Sequence, residues 1–270
     1  MHGLFFCVIM LYMEFIKIAR RRSFFSGFMH VLLNILLVIF IWLSVIVTSS
    51  PYIAVLLVFL SKWRVFAVRP RFWAANIKSN LVDLVVCLSL TILIWLSSTG
   101  FSIVQALIAI VYAIWLVLIK PRSGKVFTEV QSLMAVFVGF CALFSISYNW
   151  PLFIIVICAW VIGYSSLRHM MSDSESENLE IYSMIWGLLL SELSWIFSHW
   201  VVGYSVLNSN SLIIPQVSIV VTTLSFLLFS VFYAKENDGK IKFYEIVLPT
   251  IFSVSVIFVL MVFFSGIPNI

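Results

Sequence analysis

Apolar runs about as long as a bilayer core is thick recur along this sequence, and the connections between them alternate in charge. A spanning helix needs about 20 mostly apolar residues, because each advances only about 1.5 Å through the hydrocarbon. Nine runs meet that need, near 29–48, 52–68, 80–98, 101–119, 126–146, 150–167, 181–204, 213–233 and 245–265. The turns at Ser49-Ser50-Pro51, Ser98-Thr99-Gly100, Tyr148-Asn149-Trp150 and Asn208-Ser209-Asn210-Ser211 carry no charge. Every Lys and Arg falls in five clusters on the other connections: Lys17 with Arg20, Arg21 and Arg22; Lys62, Arg64, Arg69, Arg71 and Lys78; Lys120, Arg122 and Lys125; Arg168; Lys235, Lys240 and Lys242. Basic loops stay on the cytoplasmic side, so the N-terminus is expected in the cytoplasm and the C-terminus outside.

Composition agrees. Of 270 residues 63% are hydrophobic and only 10% charged, too few charges to wet the surface of a soluble fold of this size. The expected fold is all-α: a polytopic transmembrane bundle of about nine spans, ten as the alternative, forming one domain over 29–270 in the plasma membrane. The net charge of +5 sits in short loops that suit anionic headgroups and are too small to read nucleic acid.

Residues 1–28 divide three ways. Leu4–Met13 is apolar but short, and Glu14 and Lys17 follow. An interfacial helix anchored by Arg20–Arg22 is the preferred reading; the others are a tenth span, or a true start at Met13. No basic region precedes the apolar stretch and no small-residue cleavage site follows, which argues against a signal peptide. The Asp173–Glu177 stretch reads as a solvated link, with a phosphosite or weak cation site as the sharper reading.

The chemistry-bearing residues are few. Cys7, Cys87, Cys141 and Cys158 all lie inside apolar runs without metal-ligand spacing, so they read as small buried hydrophobes, with no metal site or cofactor expected. No hydrolase, nucleotide or zinc motif is present, and an enzyme is the least favoured class. Asp83, Glu129, Glu180 and Glu245 are placed at helix starts, where a carboxylate offsets the positive helix end. Asn34, Gln105, Gln131, Gln216, Thr222 and Thr223 read as interhelical hydrogen bonds.

Glu192 is the exception. It falls about twelve residues into the run 181–204, near the expected bilayer centre, where an ionisable group must be paired, protonated or hydrated. His199 follows two turns later on nearly the same face, about 10 Å away. Lys62 lies about 16 Å deep from Pro51, at Glu192's level, which makes Lys62–Glu192 the candidate ion pair; the alternative is that Lys62 snorkels to the headgroups. Gly187, Ser191, Ser194 and Ser198 form a small-residue stripe for close packing. With two non-lipid faces, this helix is expected at the centre of the bundle.

The stretch Leu60-Ser61-Lys62-Trp63-Arg64-Val65-Phe66-Ala67-Val68-Arg69-Pro70-Arg71-Phe72-Trp73, continuing to Asn80-Leu81-Val82-Asp83, resembles a segment of uncharacterised polytopic membrane proteins of small-genome candidate-phyla bacteria. The resemblance implies a bacterial plasma membrane and carries no activity. Read on its own, the stretch is a cationic elbow: Pro70 breaks the helix, and Trp63, Phe72 and Trp73 sit with the bases at headgroup level. The functional expectation is small-solute or ion transport with Glu192 as relay. The alternative is an assembly subunit of a membrane complex, or a homo-oligomer, using the small-residue face.

Overall fold

The computed structural model describes residues 27–97, 102–172, 178–206, 209–238 and 243–264. The expected segment 1–28 therefore lies almost wholly outside the described residues, as do Ser98-Thr99-Gly100, Asp173–Glu177, Asn208, Lys240 and Lys242.

The described chain is all but entirely helical. Helix α1 (Gly27–Thr48) is followed by α2 (Tyr52–Ser61), the single turn α3 (Trp63–Phe66) and α4 (Trp73–Leu96). Helix α5 (Ile103–Ile114) runs on into a π turn at Trp115–Ile119, followed by α6 (Lys125–Ile146), α7 (Leu152–Met170) and α8 (Leu179–Ser198). A hairpin of β1 (Gly203–Val206) and β2 (Ser209–Pro215) leads to α9 (Gln216–Asp238) and α10 (Phe243–Phe263). Among the described residues seven helices are long and apolar enough to cross a membrane; Tyr52–Ser61 and Ile103–Ile119 are shorter apolar helices. This is the architecture of a helical integral membrane protein.

Three boundaries differ from the sequence reading, each with consequences for the charged residues. The run 52–68 is broken at Lys62, whose φ of −98° and ψ of 10° end α2 after ten residues. Pro70 opens a short 3-10 turn, Pro70–Phe72, and α4 begins at Trp73, well before the expected start near 80. The Trp73 indole N–H donates to the Val68 carbonyl (2.9 Å), and Asn76 donates to the Val65 carbonyl (2.8 Å). These bonds satisfy the loose ends of the elbow and let α4 wind on from there. Asp83 is consequently in the interior of α4, not its first turn, and Glu129 likewise falls beyond the first turn of α6.

The third boundary is the end of α8. The run 181–204 stops being helical at Ser198, and the hairpin replaces both its tail and the expected turn at 208–211. The strands pair antiparallel, Tyr204 with Ile214 and Ser205 with Ile213. Val201-Val202, Val206 and Ile213-Ile214 are β-branched, a composition that favours pleated backbone over helix. Gly203 fits because any Cβ there would lie 2.2 Å from Ile213 Cγ2. Pro215, with no N–H to donate, closes the strand just before α9 begins.

The core lies between α4, α6 and α7, with Val86, Ile94, Phe140 and Ala159 fully enclosed. Helix α6 is the most buried span, 61% of its apolar window against 33% for α8. The expectation that the Glu192 helix is central is therefore corrected. Helix α8 packs on α7 alone along most of its length and meets α9 only sparsely. Of the α10 window 6% is buried; that helix packs on α9, through Ser253 and Phe252 among others, and its other faces are open.

Candidate functional site

Among the described residues the charged side chain most completely enclosed by the bundle is Lys62, 7% exposed. The helix break turns its side chain inward, where its ammonium donates to Asp83 Oδ2 on α4. A second lysine, Lys120, reaches the same oxygen from the end of the π turn at 2.8 Å. The other oxygen, Oδ1, accepts from Cys87 Sγ and from the indole N–H of Trp115, each at 3.4 Å. Both carboxylate oxygens are thus engaged, and three separate segments of chain meet on one acid.

The π turn makes this possible. Its i→i+5 bond, Lys120 N–H to the Trp115 carbonyl at 2.9 Å, inserts an extra residue into the turn. That register points both Trp115 and Lys120 at α4. Tyr112, one turn earlier, is fully buried beside them.

Measured along the helices, Asp83 lies thirteen residues before Leu96, about 20 Å, and Lys62 ten after Tyr52, about 15 Å. Both lengths are shorter than a hydrocarbon core of about 30 Å. The side chain of Lys62 is 8% exposed and that of Asp83 13%, but that of Lys120 is 37%. One cation is sealed in and the other reaches toward the surface.

A second polar layer ties the ends of α4, α6, α7 and α8. Glu180, in the first turn of α8, accepts from Tyr164 Oη (2.6 Å), from Arg168 Nη1 and from Lys78 Nζ (3.3 Å). Gln131 on α6 donates to the carbonyls of Ile119 (2.7 Å) and Arg122 (2.9 Å), and its Oε1 lies 2.6 Å from His169 Nε2. This holds the end of the π turn against α6 and so fixes the approach of Lys120.

The residues singled out in the sequence do not form one site. The expected Lys62–Glu192 pair is replaced by Lys62–Asp83, because the elbow folds α2 against α4 rather than α8. Glu192, fourteenth in the twenty-residue α8, sits about 9 Å from its C-terminal end rather than at its centre. Among the described residues it makes no hydrogen bond or ion pair; it lines an apolar groove between α8 and α9 with Trp186, Leu189, Leu193, Ile196, Leu224 and Leu228. His199 caps α8, its Nδ1 lying 2.8 Å from the Trp195 carbonyl and its ring edge-on to Trp195 at 5.0 Å.

The small-residue stripe is used within the chain. Ser191 Oγ donates to the Val156 carbonyl of α7 at 3.2 Å. A Cβ on Gly163 would lie 2.9 Å from Gly187 Cα, and one on Gly187 would lie 2.8 Å from the Trp160 carbonyl oxygen. The two glycines let α7 and α8 touch backbone to backbone. Ser194 and Ser198 turn back to carbonyls of their own helix.

Of the polar residues read as interhelical, Gln105 donates to Ile94 O, Gln131 to the turn after α5, and Gln216 to Leu260 O. Thr222, Thr223 and Asn34 bond within their own helices. What sequence reasoning missed is the set Asp83, Lys120, Trp115 and Cys87. The signal was present: a hairpin folded about Arg69-Pro70 lays α4 antiparallel to α2, which makes Asp83 the first acid Lys62 can meet.

Among the described residues no group of three or more His, Cys, Asp or Glu side chains is placed to hold a metal ion. Compared with protein-family models, with curated proteins and with solved structures, this chain matches none of them.

Proposed function

We propose that this protein is a multi-pass plasma-membrane transport or permeation protein for a small solute or ion, with Asp83 as its intramembrane relay. The observation that carries the reading is the coincidence of two backbone irregularities with one buried acid. Helix α2 breaks at Lys62 and α5 changes to a π turn at Trp115–Ile119, and both deliver a lysine to Asp83. Interrupted helices at membrane depth are tolerated where they line a polar site, and ion-coupled carriers are built around them. Intramembrane ion pairs cost more than they return as stabilisers and mark relays by default.

The chemistry follows from the arrangement. Protonation of Asp83 removes the counter-charge of both lysines at once. Lys62, sealed among apolar groups, then has no compensating charge, while Lys120 can turn toward the surface. The elbow that carries Lys62 and the π turn that carries Lys120 would separate from α4, opening the seam between them. Glu192, which the sequence suggested as the relay, stands apart from this cluster. With nine crossings, the N-terminus lies in the cytoplasm and the C-terminus outside. The basic elbow and the resemblance of Leu60–Asp83 both favour a bacterial plasma membrane.

The test is proton flux in proteoliposomes of the full chain with a trapped pH-sensitive dye and an imposed potassium–valinomycin potential. The expected result is acidification faster than in empty vesicles, lost in Asp83→Asn while the variant remains monodisperse. A wild-type rate equal to that of empty vesicles, or one unchanged in Asp83→Asn, overturns the relay. The second reading, an assembly subunit, draws on the faces of α10 that α9 does not cover and predicts a fixed partner co-purifying in mild detergent.

A further inference from the structure

We infer that the groove between α8 and α9 is a binding site for a hydrophobic cation that enters from the bilayer, with Glu192 as its counter-ion. The groove holds about 460 Å³, within the range of small-molecule sites. Its walls are apolar: Leu189 and Ile196 on α8, Leu224 and Leu228 on α9. Glu192 is the single ionisable residue in that wall, exposed, and without an ion-pair or hydrogen-bond partner among the described residues. Lipid tails give a carboxylate nothing to bond with. A cation brings the missing charge, and its apolar body covers the leucines.

Trp186 adds a second recognition element. It lines the groove at 7% exposure, and its indole N–H has no acceptor among the described residues. Its ring lines the same groove as the carboxylate, a pairing that suits an aryl or alkyl ammonium or phosphonium group. Length decides against a transmembrane helix as occupant. The lining runs from Trp186 to Ile196 on α8 and from Leu224 to Val231 on α9, about 15 Å and 10 Å by helical rise. A spanning helix would need contact over about 30 Å. The small-residue face that could seat such a helix is already occupied by α7. The groove is therefore the size of a molecule, not of a membrane span.

This site stands independently of the Asp83 relay, because it is read by binding and not by flux. The experiment is equilibrium dialysis of the full chain in nanodiscs with two probes of the same size and shape, tetraphenylphosphonium and tetraphenylborate. The phosphonium is expected to saturate at one per chain and the borate not to bind saturably. Glu192→Gln should weaken phosphonium binding at least tenfold. Leu228→Trp, which fills the groove and keeps the charge, should weaken it as well, while Glu129→Gln leaves it unchanged. The inference is overturned by non-saturable phosphonium partitioning, by equal retention of both probes, or by unchanged affinity in Glu192→Gln and Leu228→Trp. It is equally overturned if single cysteines at Leu224 and Leu189 cross-link quantitatively between chains, which would show the groove filled by a second copy.

Discussion

Lys62 and Asp83, twenty-one positions apart, form an ion pair inside the helical bundle, both side chains largely enclosed. Lys120 holds the same carboxylate oxygen, so the pair is one edge of a three-charge cluster joining α2, α4 and the π turn of α5.

Removing the acid alone should cost more than removing the pair. Asp83→Leu alone leaves Lys62 enclosed without its counter-charge, a loss of about 3–5 kcal/mol, whereas Lys62→Leu leaves Asp83 paired with Lys120 and should cost less. The double variant, with both sites apolar, should recover a large part of that loss. Thermal unfolding in detergent of the two singles and the double gives the coupling; strictly additive losses would mean the two residues act separately.

The contact of α7 with α8 should tolerate no added atom. Gly163→Ala places a Cβ 2.9 Å from Gly187 Cα, and backbone cannot yield as a side-chain tip can. A destabilisation of about 1–3 kcal/mol is expected. Ser198→Ala, whose hydroxyl bonds only within α8, is the control and should melt near wild type.

Gln131 should be needed for the shape of the π turn. Gln131→Leu removes the donors to Ile119 and Arg122; the Ile119 carbonyl keeps the Arg122 N–H, but the Arg122 carbonyl loses its side-chain donor, at about 1–3 kcal/mol if it stays dry. Freed from α6, Lys120 should become more accessible. Its rate of modification by an amine-reactive reagent should rise in the variant, and an unchanged rate would argue that the turn is set by α5 alone.

The hairpin can be tested by a compensating pair. Gly203→Ala forces a Cβ to within 2.2 Å of Ile213 Cγ2 and should loosen β1 from β2, seen as faster protease cleavage. Adding Ile213→Ala removes the obstructing atom and should restore protection. Failure of that rescue would point to a backbone requirement at Gly203 instead.

Topology is open to direct labelling, since the native cysteines all lie inside apolar runs. With those replaced by Ala, Ser123→Cys should react with a membrane-impermeant maleimide only when the cytoplasmic face is opened. Asn149→Cys should react from outside in intact cells. The reverse pattern would invert the assignment of both ends.

Much of this protein was legible without a structure because one physical demand dominates it. In hydrocarbon each backbone N–H and C=O must be satisfied within its own segment, so run length and loop charge alone specify helices. The hairpin escaped notice because its apolar ends, Val201-Val202 and Leu212-Ile213-Ile214, run on from the neighbouring spans and leave 208–211 to read as a plain turn. Only their β-branching and Gly203 argue for strands, and periodicity cannot separate a short buried strand from a helix. Asp83 was misplaced for a local reason. The first turns of α4 are polar, with Asn76, Lys78 and Asn80, and hydropathy starts the span after them although the helix has already begun.

By itself, then, the sequence determined the helical class, the membrane setting and the scarcity of charge, because these depend on each segment's own composition. Only the tertiary structure decided which charges meet. Run lengths put Lys62 and Glu192 at comparable depths, but α8 ends at Ser198, and depth is in any case only one coordinate. The elbow at Pro70 and the extra residue in the π turn set the rotation and neighbours that send Lys62 to Asp83 and leave Glu192 facing an open groove.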